Sequence, residues 1–253
     1  MADYSFLYSK EVTEQTLREL VAFIEWYNKL GHEPLIVGGW AAWAYHQGPG
    51  SKDIDVVFPG KAAMQQTLLQ YFQVNGFKTR KTSLFDYEFY KTRKTNESRE
   101  VEVIIDAVAS DRRVVVDGTP IVIPWGLAEK FKRKHDFGNN VQAWIVSPEL
   151  LLVYKIGALL GRGSQLRTSP EENRERIESK LWKDAQDVAG LLEKTAPDRK
   201  KLGSLLKQCN LMESNWLEKA WETAARYLDE PQKRATGKKW VELFQLDLPK
   251  QEI

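Results

Sequence analysis

Two carboxylates set the chemistry. Asp53-Ile54-Asp55-Val56-Val57-Phe58 alternates acid and apolar residues before turning fully apolar, the pattern of a strand that enters a sheet from a wet end. Side chains alternate along a strand, so Asp53 and Asp55 share one face, about 7 Å apart, while Ile54 points to the other. Such a pair can share a divalent ion. Hard oxygen ligands suit Mg²⁺, which keeps waters and completes its shell from substrate phosphates. Upstream, the apolar run Pro34-Leu35-Ile36-Val37 breaks at Gly38-Gly39. A Gly-Gly turn at the start of a helix lets backbone N–H groups approach a phosphate closely. A nucleoside triphosphate with Mg²⁺ satisfies both halves.

A third acid is expected on a neighbouring strand. Ile104-Ile105-Asp106-Ala107-Val108 supplies Asp106, a lone carboxylate whose burial is costly unless it is paired or bound to metal. Glu102, four residues earlier on the same side, is the second candidate. With two ions, one holds the triphosphate and the other lowers the pKa of an attacking hydroxyl, so that in-line displacement of pyrophosphate becomes feasible at neutral pH.

An apolar residue followed by Gly-Gly, a helix, Ser-x-Asp-x-Asp and a distal strand acid resembles the nucleotidyltransferase superfamily typified by DNA polymerase beta, over about residues 35–108. The resemblance implies that Gly38 and Gly39 form the phosphate-binding turn, that Asp53 and Asp55 are paired metal ligands, and that Asp106 is the third carboxylate. Gly39 lacks the hydroxyl of the Gly-Ser version, for which Ser51 is expected to compensate. In the C-terminal half, Leu151-Leu152-Val153-Tyr154-Lys155-Ile156 and Lys183-Asp184-Ala185-Gln186-Asp187 resemble the AbiEii-type branch, whose helical domain carries a Lys on one helix and an Asp on a later one. Lys155 matches that lysine, Lys183-Asp184 the Lys-Asp pair, and Asp187 lies one turn further on. A lysine in so apolar a helix needs an anion for its ammonium, either a triphosphate or Asp184. The branch includes toxins of toxin–antitoxin pairs that modify tRNA, and small-molecule and antibiotic nucleotidyltransferases share the core. The implied partners are Mg²⁺, ATP or another NTP, an RNA acceptor with a tRNA end foremost, and an antitoxin. A small hydroxylated acceptor is the enzymatic alternative, and an inactive binding or antitoxin-like protein the other.

These residues require an α+β frame: a nucleotidyltransferase core with a mixed β-sheet over residues 1–147, then a C-terminal helical bundle over 148–253. Helical spacing of Leu17, Leu20, Val21, Ile24 and Tyr27 gives a first helix ending near Gly31. A short helix from Trp40 to His46, strand 53–58 and helix 61–75 follow. From 77 to 146 the texture is β, with strands at 84–94, 101–109 and 141–146, a hairpin turning at Asp117-Gly118, and one helical turn at 126–131. Helices are expected at 150–160, 174–194, 199–208, 213–228 and 231–244, with the polar stretch 161–173 as a mobile linker.

Composition narrows the class. Lys+Arg 37 against Asp+Glu 35 gives a net charge of +2, which does not announce nucleic acid. The basic stretches Lys78-Arg80-Lys81, Lys91-Arg93-Lys94 and Lys130-Lys132-Arg133-Lys134, with Tyr87 and Tyr90 interleaved, read either as solvated strand faces or as a local RNA surface. No apolar run approaches the roughly 20 residues of a membrane span. The start lacks the pattern of a secretory signal, so the expected compartment is the cytoplasm. A single cysteine, Cys209, excludes an internal disulfide and is expected to be inert. Trp26, Trp182, Trp216 and Trp221 fit helix faces, and Trp40 and Trp43 are read as packing residues beside the phosphate turn.

Overall fold

The computed structural model describes residues 4–58, 61–80, 88–94, 100–212 and 214–246. Lys81, Tyr87 and the strand start expected at 84 lie outside the described residues, as do the side chains of Met64 and Arg80. The chain forms two compact units. An α/β unit comprises Ser5–Arg113 and Pro124–Ser147, and a helical unit comprises Met1–Tyr4, Val114–Ile123 and Pro148–Ile253.

In the α/β unit, α1 (Lys10–Lys29) precedes β1 (Leu35–Val37), α2 (Gly38–His46), β2 (Asp53–Phe58) and α3 (Lys61–Val74). Then come β3 (Lys78–Arg80), β4 (Glu88–Lys94) and β5 (Glu100–Ala109). The unit is completed by α4 (Leu127–Lys130), β8 (Lys132–Asp136) and β9 (Gln142–Val146). Seven strands form one mixed sheet in the order β3-β4-β5-β2-β1-β9-β8, with β1–β9 and β2–β5 parallel and the remaining pairs antiparallel.

The alternation seen in the sequence decides what each face of the sheet does. Ile54, Val56, Val103 and Ile105 are fully buried, whereas Asp53, Asp55, Glu102, Ile104 and Asp106 on the opposite face stay half-exposed. On the buried side Phe23, Tyr27 and Tyr71 pack as an aromatic cluster, with Tyr27 reaching the Phe58 ring at 5.7 Å. Burying a side chain of this size contributes about 1.5–3 kcal/mol, so register in β2 and β5 is strongly specified and a one-residue slip would bury the acids. Glu19 of α1 is buried there beside Lys91, with the Arg93 guanidinium at 3.4 Å and the Tyr71 hydroxyl donating to it at 2.6 Å. Burial lowers the Lys91 pKa against the opposing pull of Glu19.

The helix expected from Trp40 begins at Gly38, so both glycines lie inside its first turn. Two strands were not separated from the general β texture of the sequence. β3 has only three residues, and β8, Lys-Arg-Lys-His-Asp, carries almost no apolar residue because it is the sheet's edge. Charged edge strands of this kind discourage pairing with other chains.

The helical unit holds α5 (Pro148–Thr168), α6 (Glu171–Lys194), α7 (Arg199–Gln208), α8 (Ser214–Ala225) and α9 (Glu230–Phe244). Asp198 caps α7 by accepting from the Lys200 and Lys201 N–H groups, and Asp229 caps α9 by accepting from that of Gln232. The hairpin of β6 (Arg113–Val115) and β7 (Val122–Pro124) turns at Gly118 as expected, with φ +71. The linker expected over 161–173 is absent, because α5 runs to Thr168 and α6 opens at Glu171. Gly161 and Gly163 lie inside α5. A Cβ on Gly161 would stand 3.5 Å from Val116 of the hairpin, and one on Gly163 would stand 3.3 Å from Thr223 of α8. The first distance is an ordinary van der Waals contact, whereas the second is tighter, so the missing side chain at Gly163 gives Thr223 its room. Trp221 and Trp240 are fully buried in this unit, while Trp182 and Trp216 are half-buried.

Candidate active site

The acids are placed by strand register. Asp55 is the β2 partner of Val37, so the chain leaves β1 and enters α2 directly beside it. Gly38 takes a left-handed conformation, φ +63, and a Cβ built there would lie 2.7 Å from the Asp55 Cγ. Only glycine meets both demands, and the close approach fixes the Asp55 carboxylate against the first turn of α2.

Across the other edge of β2, Asp55 is in register with Asp106, and Asp106 with Glu88 of β4. Partner residues point to one face and neighbouring strands are about 4.8 Å apart, so Asp55, Asp106 and Glu88 form a row, with Asp53 flanking it one side-chain step along β2. Of the two candidates for the third acid, the register therefore puts Asp106 beside Asp55. Glu102 lies on the same face but opposite Thr92, two side-chain steps along the strand. Ser51 is buried in the loop that enters β2, and Thr16 of α1 donates to the neighbouring Lys52 carbonyl at 3.4 Å. Trp40 is buried and meets Trp43 edge-on at 5.6 Å, in keeping with a packing role.

Among the described residues, no three His, Cys, Asp or Glu side chains already form a cage for a metal ion. Asp53, Asp55 and Asp106 are half-exposed, whereas Glu88 at the end of the row is buried. Half-exposed carboxylates suit Mg²⁺, which takes one or two carboxylates from a protein and fills its shell from water and phosphate.

Lys155, Asp184 and Asp187 come together in the helical unit. The Lys155 ammonium is buried, 2.8 Å from Asp184 Oδ1 and 2.7 Å from Asp187 Oδ2. Lys183 pairs with Asp187 one turn away, and Arg162 pairs with the second oxygen of Asp184. The Asp184 carboxylate, one of the two anions open to Lys155 on sequence grounds, lies against its ammonium. Three cations thus surround two buried carboxylates, and such charges are tolerated in an interior only when paired.

Two members of these clusters escaped the sequence reading. Glu88 lies inside the strand expected over 84–94, and its signal is the alternation Glu88-Phe89-Tyr90, which puts the acid opposite the apolar face. Arg162 lies seven residues after Lys155, two helical turns, and so on the same face of α5.

No family model matches the chain, and neither does any of the curated proteins. Among solved structures, it is similar to the crystal structure of an antigenic nucleotidyltransferase-like protein from Paracoccidioides brasiliensis, at 13% identity over 81% of this chain and 93% of that chain, with a TM-score of 0.46. The chemistry of the site is therefore carried by its own residues.

Proposed function

We propose that the protein is a Mg²⁺-dependent nucleotidyltransferase that moves an NMP from an NTP to an acceptor hydroxyl and releases pyrophosphate. The observation that carries this reading is the Asp55 carboxylate, seated against the left-handed Gly38 at a helix start and in register with Asp106. Asp53, Asp55 and Asp106 would hold the metal. Mg²⁺, when bound, neutralises triphosphate charge and lowers the pKa of the attacking hydroxyl. The N–H groups of Gly38 and Gly39, at the positive end of α2, donate to phosphate oxygens, and Ser51, in the loop that enters β2, would add a hydroxyl. Asp106 accepts the acceptor's proton as its oxygen bonds to the α-phosphorus, and the bond to the pyrophosphate oxygen breaks in line.

RNA, a tRNA end foremost, is the proposed acceptor, and a small hydroxylated compound is the alternative. The Lys155, Lys183, Asp184 and Asp187 cluster supports placing the chain near the AbiEii-like toxins, with an antitoxin as partner. The nucleotide-binding roles that this resemblance gives Lys155 and Asp184 belong to the same proposal. The test is pyrophosphate release from each NTP with Mg²⁺, with and without total tRNA. The intact protein should release it and Asp55→Asn should not. Release by neither would reject the catalytic reading.

A further inference from the structure

A row of accessible side chains leads from the carboxylates toward the β3 edge of the sheet. Ile104 is one side-chain step from Asp106 along β5, Tyr90 of β4 is its partner, and Lys78 of β3 is the partner of Tyr90. Partners share a face, so all three stand on the side that carries Asp53, Asp55 and Asp106. Ile104 and Tyr90 are half-exposed and Lys78 is exposed, so the face stays open from Asp106 to this edge. β3 is two strand spacings from β5, and Tyr90 is two residues from the partner of Asp106, which puts Lys78 about 12 Å from Asp106, a span of a few nucleotides.

A cavity of about 310 Å³ lies at this edge, where the pairing of β3 with β4 stops at Tyr90. Lys78, Lys91 and Arg93 line it with Tyr90 and Thr92, and no carboxylate does. Among the described residues one acid meets these cations: Glu19 is paired with Lys91 and stands 3.4 Å from the Arg93 guanidinium. Three cations against one carboxylate leave two positive charges in surplus. Arg93 is exposed, so its pair is screened and weak, and its guanidinium has further N–H groups to donate. Lysine on an edge strand also discourages pairing with other chains, and that role would account for Lys78 alone. It calls neither for a cavity lined by cations nor for an aromatic ring between them and Asp106.

We propose that this cavity is a phosphate site for the backbone of a single-stranded RNA acceptor whose end reaches Asp106, with one base of the strand stacked on Tyr90. The place of Asp106 in it rests on the nucleotidyl-transfer reading. Lys78 and Arg93 supply charge to the phosphate. Cations beside an aromatic ring hold single strands with little regard to sequence, which suits an acceptor recognised by its end.

The test is fluorescence anisotropy of a fluorescein-labelled, mixed-sequence, single-stranded RNA 12-mer, without NTP, across a salt series. The Lys78→Gln/Arg93→Gln double variant should bind about tenfold more weakly, with a salt slope shallower by about 1.4, the value for two lost phosphate contacts on single strands. Lys78→Gln alone breaks no ion pair among the described residues and should lose part of the same affinity. Tyr90→Phe should retain more binding than Tyr90→Leu. Lys238→Gln, which removes an exposed charge from α9, should bind as the intact protein does. Unchanged affinity and slope in the double variant would overturn the proposal, as would an intact protein that binds no RNA. Mg²⁺-dependent NTP binding, measured calorimetrically on the same proteins, separates the two readings. A double variant that loses NTP affinity but keeps RNA affinity assigns the cavity to the triphosphate and rejects the RNA site. RNA binding that depends on Lys78 and Arg93, in a protein that binds no NTP, rejects nucleotidyl transfer alone.

Discussion

The Asp55 carboxylate fills the space that a side chain on Gly38 would need, and Gly38 is held at φ +63 where it passes. Backbone geometry and the position of the Asp55 carboxylate are thereby coupled at one point. Gly38→Ala should cost about 1–2 kcal/mol for the left-handed conformation alone, with a further loss from displacing the acid. Urea unfolding would read the first effect and NTP binding the second. A variant that is as stable as the intact protein and binds NTP equally would show that the contact is incidental.

Asp55, Asp106 and Glu88 stand in one row on adjacent strands, and like charges in register repel. Mg²⁺ or Mn²⁺ should raise the melting temperature, because a ligand that binds only the folded state stabilises it by mass action. Asp106→Asn should melt slightly higher than the intact protein without metal, having lost one repelling charge, and gain less when metal is added. Glu88→Gln tests the acid that the sequence did not reveal and should show the same two effects more weakly. Equal gains in all three proteins would remove the row as the binding site.

In the helical unit each buried carboxylate serves two cations, Asp184 taking Lys155 and Arg162 and Asp187 taking Lys155 and Lys183. Asp187→Asn removes one carboxylate from each of two buried lysines and should cost about 3–5 kcal/mol. Lys155→Met leaves Asp184 with Arg162 and Asp187 with Lys183, and the cost should fall to about 1–2 kcal/mol. Denaturant unfolding of the full chain measures both, and the reverse order would mean that Lys155, not Asp187, is the hub.

Cys209 is fully buried, and burial pushes its thiol up to about 11. At pH 8 almost none of it is thiolate in the folded protein, whereas the unfolded thiol, with a pKa near 8.5, is partly ionised. Iodoacetamide at pH 8 should therefore label the native chain slowly and the urea-unfolded chain quickly. Fast labelling of the native protein would contradict the burial.

The parts of the fold legible in the sequence were those with a strong period. The alternation in Asp53-Ile54-Asp55 and around Asp106 sufficed to place three acids on one face, because burying Ile54 and Ile105 leaves them no other side. Their alignment was beyond it, since Asp55 faces Asp106 rather than Glu102 through a parallel pairing between segments some fifty residues apart, and no local pattern encodes such a register. Edge strand β8 was hidden because an edge has little to bury. The expected linker failed for a related reason. The polar stretch 161–173 looks like a loop, but it continues α5 to Thr168 and opens α6 at Glu171, and Gly163 makes room for Thr223, a role set by that neighbour. Lys155 was singled out as a cation needing an anion, whereas its second carboxylate and the role of Arg162 emerged only from how α5 and α6 pack.

Nucleotidyl transfer at the Asp55–Asp106 row is the proposed reaction. Its most direct measurement is incubation with Mg²⁺ and NTPs labelled at the α- or the γ-phosphate, with total tRNA and a pool of small hydroxylated compounds as acceptors. The α-label should move to an acceptor, the γ-label should leave as pyrophosphate, and Asp55→Asn should abolish both. Transfer of the γ-label, or α-label transfer that survives Asp55→Asn, would contradict it.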